Sequence, residues 1–374
     1  MLLETVLSVL RSVSPEALAE PWDKVGLQVG WAGQDVARGL LCIDYTPAVL
    51  AEATAEGCEL VVAYHPPIFE PLAGLNDATW KQALLRDTAR AGVAVYSPHT
   101  ALDVVRGGVN DWLAAGITLD DPRAQIEPIV PKAARRDEFK LVVFVPTAEA
   151  SNLRQALADA GAGGIGRYRE CSWETAGQGG FRPIEGASPT IGRVGVRETV
   201  EETRLEMICP GSRLAETIAA LRGAHPYEEP AFDVFRLEPE PVPLGRASGL
   251  GRLIRLADSI SGAELAERVR KRLGMPGLKL GGGQAQVSTV ALCVGAGGKM
   301  FDGVEADGYV TGEMQHHQAL DLTTRGKAVV LPGHTNTERP YLPAYRQRLR
   351  DAGAEAVDWR ISAADAAPLA WVRG

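Results

Sequence analysis

Cysteine is scarce and scattered in this chain, with five in 374 residues, at positions 42, 58, 171, 209 and 293, and no CxxC pair. That spacing argues against both a disulfide framework and a thiolate zinc site. All five read as small buried apolar residues, and a reduced, cytoplasmic setting is expected. Positive charge is also in deficit: 39 Lys and Arg against 47 Asp and Glu leave a formal net charge of −8. Without a broad basic field, a dedicated nucleic-acid binder is disfavoured. No run approaches the roughly 20 apolar residues that a spanning helix needs. The apolar start Met1–Leu10 carries Glu4 and no basic n-region, so it reads as an amphipathic helix and not as a signal peptide. Histidine is rare too, with six copies, and its positions are therefore informative.

The composition that remains, 45% hydrophobic and 23% charged, is that of a folded globular protein. The length is too great for one ordinary core, so two or three domains are expected. Strand-like runs (Gly39–Asp44, Leu60–Tyr64, Val93–Tyr96) alternate with helical patterns (Thr46–Glu56, Asp77–Ala91, a start at Gly108), which predicts an α/β layer with a largely parallel sheet. Ser14-Pro15 predicts a second short helix after the first. Between Thr118 and Arg136 the pattern dissolves. A different rhythm follows, with a strand at Phe139–Val145, a helix over Glu149–Ala160 capped by Thr147, a strand at Arg204–Cys209, a helix over Gly211–Arg222 and a strand at Ala231–Leu237. This order predicts a small ferredoxin-like α+β unit. Glu238-Pro-Glu-Pro-Val-Pro-Leu-Gly245 reads as a stiff linker, after which the α/β rhythm returns through Leu250–Leu256, Ser261–Leu273, Val287–Val294, Gly308–Thr311, Val329–Leu331 and a last helix from Tyr341. The expected organisation is therefore an N-terminal α/β half over 1–130, an inserted unit over 138–238 and a C-terminal α/β half over 245–374.

Four polar clusters each follow an apolar strand-like run: His65; His99 with Asp103; Glu313 with His316 and His317; and His334 with Glu338. Two of them share the form His-Thr-x-x-acid (His99–Asp103 and His334–Glu338), consistent with an ancient duplication. Singly, each residue has an ordinary explanation, such as a helix cap or a turn. Together, five of the six histidines lie at strand ends, where ligands of α/β sheets collect. Imidazole and carboxylate without thiolate suit zinc, manganese or iron. Gly295-Ala-Gly-Gly298-Lys299 lacks the GxxxxGK[ST] spacing and reads as a tight strand-to-helix turn and not as a phosphate loop.

On the stretches Trp22–Gly30 (WDKVGLQVG), Tyr64-His-Pro-Pro-Ile-Phe69, Ser97-Pro-His-Thr-Ala-Leu-Asp103, Thr311–His317 (TGEMQHH) and Gly333-His-Thr-Asn-Thr-Glu338, the chain resembles the Nif-three-like dinuclear-metal family, whose members are often labelled GTP cyclohydrolase type-2 homologues. Gly180-Phe-Arg-Pro183 and His225–Asp233 (HPYEEPAFD) resemble the PII/CutA-like insertion of its longer members. The resemblance implies one α/β domain built from two halves and interrupted by that insertion, within a ring-shaped homohexamer. It implies metal ligands at His65, Asp103, His334 and Glu338, the last bridging both ions. Tyr64 stands where the family has a further histidine: it ligates as phenolate, or His99 or water substitutes, or one ion alone is held tightly. One or two divalent ions per chain are thus expected.

The leading expectation is a metal-dependent hydrolase of a small nucleotide-like or phosphorylated substrate, with His99, Glu313 or His317 moving protons or orienting substrate. The alternative is a non-enzymatic metal carrier, or a regulatory ring whose inserted domain senses a small molecule. His225 with Glu228 and Glu229 reads either as a second small site or as a fold-defining loop.

Overall fold

Leu3, Val6, Leu7, Leu10 and Val13 recur at helical spacing, and the segment folds as α1 (Leu3–Val13) with these five side chains buried. The computed structural model describes residues 1–31, 33–132, 138–166, 168–238 and 248–369. The Glu238–Gly245 linker lies outside them from residue 239 onward. The chain divides into an outer unit, Met1–Ala134 with Pro241–Gly374, and a middle unit, Arg135–Glu240.

In the first outer segment, α1 is followed by a single 3-10 turn, Glu16–Leu18, in place of the short helix expected after Pro15. Next come β1 (Gly26–Val29), β2 (Arg38–Cys42), α2 (Pro47–Ala55), β3 (Leu60–Ala63), α3 (Trp80–Ala91) and β4 (Ala94–Ser97). The helix starts are specified locally. Thr46 and Thr79 accept from the backbone N–H groups of Val49 and Gln82, and Pro47 occupies a first-turn position. Strands β2, β3 and β4 pair in parallel and are buried almost throughout, while β1 runs antiparallel on the edge. Helices α4 (His99–Val104) and α5 (Val109–Thr118) and the short β5 (Gln125–Glu127) and β6 (Val130–Lys132) close the segment.

The middle unit is built from β7 (Glu138–Pro146), α6 (Ala150–Asp159), β8 (Ser172–Phe181), β9 (Glu198–Pro210), α7 (Leu214–Ala224) and β10 (Ala231–Arg236). Its sheet is antiparallel throughout, in the order β10-β7-β9-β8. Leu141, Val143 and Val145 of β7 alternate onto the face that packs with Leu153, Leu157 and Leu221 of the two helices. Thr147 does not cap α6. It lies in a 3-10 turn, where its hydroxyl accepts from Thr203. Of the five cysteines, four are buried as expected, but Cys171 is only half-buried.

The last segment contributes β11 (Ser248–Leu250), β12 (Arg252–Ser261), α8 (Gly262–Leu273), β13 (Lys279–Gly281), β14 (Gln286–Cys293), β15 (Gly308–Thr311), α9 (His316–Thr324), β16 (Ala328–Leu331), α10 (Leu342–Leu349) and β17 (Asp358–Ile361). β14, β15 and β16 are parallel and central, and β12 and β13 flank them antiparallel. The two outer segments exchange edge strands. β17 pairs in parallel with β2, and β5 pairs antiparallel with β12. Among the described residues the outer unit thus holds sheets of order β1-β4-β3-β2-β17 and β13-β16-β15-β14-β12-β5, with β6-β11 as a separate ribbon.

Arg252 fastens the two outer segments in the core. It is 2% exposed, donates twice to Asp111, with Nη2 to Oδ2 at 2.9 Å, and gives Nη1 to the carbonyls of Gly249 and Gly251, each at 2.7 Å. A buried guanidinium is tolerated only when paired and hydrogen-bonded. Asp111→Ala is expected to destabilise the outer unit by about 3–5 kcal/mol, read as a lowered urea midpoint by circular dichroism; a shift under about 1 kcal/mol would mean that water replaces the carboxylate without cost.

Candidate metal centre

The clusters that the sequence scatters over 270 positions meet because each follows the carboxyl end of a parallel strand. Asp44 lies just beyond β2, His65 beyond β3, His99 beyond β4, Gly295 beyond β14, Glu313 beyond β15, and His334 with Glu338 beyond β16. His65, His334 and Glu338 each present a ligand-capable atom, all within 4.8 Å of one another. Glu338 is the centre of this group. It is 3% exposed, with Oε1 3.5 Å from His334 Nε2 and Oε2 3.6 Å from His65 Nε2. Its Oε2 is buried without a hydrogen-bond partner. An unsatisfied buried carboxylate oxygen is costly, and its presence marks a missing partner.

Each histidine is aimed by a second carboxylate. His65 donates from Nδ1 to Asp44 at 2.9 Å, and His334 donates from Nδ1 to Glu313 at 3.2 Å. With Nδ1 committed in this way, Nε2 is the ring nitrogen that faces Glu338 and offers its lone pair once its proton is given up. Asp44 is steadied in turn by the Arg339 guanidinium, 3.8 Å away, which pairs at 2.9 Å with the buried Asp365. Gly295 makes the room: its φ is +64°, and a Cβ there would lie 2.7 Å from Glu338 Oε1 and 3.3 Å from His334 Nε2.

Asp103 and Tyr64 adjoin this group as a pair, with the Tyr64 hydroxyl donating to Asp103 Oδ1 in a short bond. Asn110, buried, ties the neighbouring backbones by donating to the Asp103 carbonyl at 3.0 Å and accepting from Val294 N–H at 3.1 Å. His99 stands with its ring 5.4 Å from that of His65 and donates from Nδ1 to Asp23 at 2.7 Å. Its φ of +29° is unusual for a non-glycine residue, and the surrounding bonds hold it there. Glu313 is exposed and reaches the group through His334. His317 does not join it: α9 begins only at His316, and both imidazoles stand exposed, edge-on to each other at 5.4 Å.

Burial alone would lower the His65 imidazole, but its hydrogen bond to Asp44 and the negative charge of the nearby Glu338 outweigh burial and push it up to about 10. Burial raises Asp103 to about 6 against the pull of His99 and the Tyr64 hydroxyl. Burial, with Asp103 and Glu338 nearby, holds the Tyr64 phenol well above its usual range. Beside His334 and Glu313 a cavity of about 580 Å³ opens, lined also by Lys279, Met314 and Asn336.

The supporting residues Asp44, Asp23, Gly295 and Asn110 carried no site assignment in the sequence. Asp44 and Gly295 did share the ligands' signal, a position just past a buried strand. In the middle unit, His225 uses both ring nitrogens structurally: Nε2 donates to the Phe144 carbonyl at 2.9 Å and Nδ1 accepts from Tyr227 N–H at 3.1 Å. Glu228 accepts from Ser188 N–H at 3.0 Å. These contacts are the ones a fold-defining loop makes, and among the described residues the metal-capable group lies at His65, His334 and Glu338.

The family model described as Duf34/NIF3 (NGG1p interacting factor 3) matches residues 1–368. A Mycobacterium tuberculosis protein named "GTP cyclohydrolase 1 type 2 homolog" is 38% identical over 369 residues, covering 96% of this chain and 94% of that one. A Halalkalibacterium halodurans protein of the same name is 35% identical over 350 residues, covering 92% and 91%. The crystal structure of a Bacillus cereus protein related to NIF3 superposes with a TM-score of 0.69 at 34% identity, covering 98% of both chains.

Because the metal-free His65 keeps its proton up to about pH 10, an ion bound there must displace it. Affinity for a divalent ion is expected to rise about tenfold per pH unit between roughly pH 6.5 and 8, with about one proton released per ion in calorimetry across buffers of different ionisation enthalpy. An affinity independent of pH would contradict this. Gly295→Ala, which drives a methyl group into Glu338, is expected to weaken ion binding at least about tenfold while leaving the circular dichroism spectrum unchanged.

Proposed function

The chain belongs to the Duf34/NIF3 family, and from that membership and this geometry we propose a divalent-metal protein that hydrolyses a small nucleotide-like or phosphorylated substrate at the His65–His334–Glu338 centre. The observation that carries the reading is the buried Glu338 carboxylate, with one oxygen unpartnered between two inward-facing imidazole nitrogens. A divalent ion fits this donor set. Two neutral nitrogens and one carboxylate, oriented by Asp44 and Glu313, suit zinc, manganese or iron. When bound, such an ion supplies Lewis acidity for hydrolysis.

The chain's own groups divide the remaining work. Asp23 holds His99 Nδ1–H, so His99 Nε2 is the group that takes or returns a proton beside the centre. Glu313 sets the His334 tautomer and faces the cavity, whose volume of about 580 Å³ suits a nucleotide-sized molecule. His317 takes no part in this scheme. Tyr64 acts in this scheme as a neutral donor to Asp103, to which its hydroxyl is hydrogen-bonded. One ion is held tightly by the three grouped donors His65, His334 and Glu338, and a second more weakly, since Tyr64 already engages one oxygen of Asp103 and leaves the other for it. For the middle unit, the strand order β10-β7-β9-β8 with two helices supports a ferredoxin-like, PII/CutA-like insertion. Membership of this family supports assembly of the chain into a homo-oligomeric ring.

Elemental analysis of the purified chain is expected to give close to one tightly held ion per chain, and two equally tight ions would overturn the one-ion assignment. Glu338→Gln keeps the side chain's shape but removes its charge; it is expected to lose that ion and any hydrolysis together, with the fold intact by circular dichroism. Retained hydrolysis after loss of the ion would overturn the metal-dependent mechanism. Tyr64→His should raise the metal content toward two.

A further inference from the structure

We propose that Trp22 and Phe69 form an aromatic shelf that receives a planar nitrogen heterocycle, of the size of a purine, on the His99 side of the metal centre. The inference rests on the proposed small-molecule site and adds the residues that would receive the ring of a nucleotide-like substrate there.

Trp22 is 54% exposed and Phe69 36% exposed. Their rings lie 6.1 Å apart at 57°, and the Trp22 ring is also 6.1 Å from His99 at 75°. His99 in turn stands 5.4 Å from His65, whose Nε2 faces Glu338. The exposed indole is therefore two rings removed from the candidate ion. A single exposed tryptophan is ordinary on a protein surface. This one differs in how firmly its backbone is held. On one side Glu20 N–H donates to Thr100 Oγ1 at 3.0 Å, and Lys132 Nζ donates to the carbonyls of Leu18 and Ala19 and to Glu20, at 3.0, 2.7 and 2.6 Å. On the other side Asp23 accepts from His99 Nδ1 at 2.7 Å and from Thr100 N–H at 3.0 Å. The same bonds hold His99 at its positive φ. A large aromatic surface is thus kept open to solvent on a pinned turn, in edge contact with the histidine that would move protons. Pre-ordered in this way, it loses little freedom when a second ring stacks on it. Stacking is indifferent to which heterocycle is presented, because every such ring has a π-face. The shelf therefore selects for a ring, while the cavity and the ion select for what the ring carries.

The test uses the full chain loaded with manganese, titrated with GTP, ATP and the ringless ribose 5-phosphate, following tryptophan fluorescence and calorimetry. GTP and ATP are expected to quench fluorescence saturably and to bind more tightly than ribose 5-phosphate. Trp22→Ala should weaken both nucleotides roughly ten- to hundredfold, Trp22→Phe should restore part of that loss, and ribose 5-phosphate binding should be unchanged in both variants. Equal affinity for ringed and ringless ligands overturns the proposal, as does nucleotide binding untouched by Trp22→Ala. A change confined to sedimentation behaviour overturns it too, making the indole a contact between copies. Manganese content measured in the same samples separates the two failures. An empty centre defeats the metal reading beneath the proposal, whereas a full centre without ring preference defeats the shelf alone.

Discussion

A carboxylate that is 3% exposed, with two imidazole nitrogens at 3.5 and 3.6 Å, is the constraint from which the rest of this site follows. Burying an ionised carboxyl is expensive unless opposite charge and hydrogen bonds surround it. Glu338 gains its partners only because His65 and His334 turn the same nitrogen inward, and they do so because Asp44 and Glu313 hold the other. The positions are fixed in depth. Thr337 accepts from Gly295 N–H at 2.9 Å and donates to the His334 carbonyl at 2.7 Å, so the turn that bears His334 and the glycine that admits Glu338 are one hydrogen-bonded structure.

The exchange of edge strands serves the same end. Because β17 completes the sheet of the first segment, the chain beyond it brings Asp365 against the end of β2, where its carboxylate accepts from Ile43 N–H at 2.7 Å and Asp44 N–H at 3.3 Å. Arg339, one residue past Glu338, closes onto that same carboxylate. The support of His65 therefore comes from the far end of the chain, and neither outer segment alone builds its own half of the centre.

How much of this could be read from residues alone depended on range. Buried strands such as Leu60–Ala63 and Gly308–Thr311 announce themselves as apolar runs, and so His65, His334 and Glu338 could be recognised as strand-end donors. β8 could not, since Ser172–Phe181 carries three glycines and is mostly exposed, which leaves no alternation to detect. β5 and β17 are three and four residues long, and each is a strand only because a partner from the opposite segment pairs with it. The same holds within the site. Asp44 and Asp23 are ordinary acids in the sequence, and become histidine-orienting groups through contacts made across 21 and 76 residues. His225 was open to two readings in the sequence, a small site or a fold-defining loop, and the choice turns on contacts made in space: both its nitrogens are spent on backbone.

The charge around the centre ties its proton chemistry to its affinity for cations. Glu338, Asp44, Asp103, Asp23 and Glu313 converge on the imidazoles of His65, His99 and His334, so the metal-free pocket holds more acid than base. Protons make up the difference: His65 retains its own to about pH 10 and Asp103 to about pH 6. A divalent cation would supply the same compensation with two charges at one point and would also satisfy Glu338 Oε2, which a proton on His65 at 3.6 Å does poorly. Substituting tyrosine for a further imidazole at position 64 shifts that balance. The phenol adds a donor but no lone pair directed at the centre, and it ties Asp103 to itself. That leaves Glu338 as the buried carboxylate with an unpartnered oxygen, the feature on which the proposed one-ion centre rests.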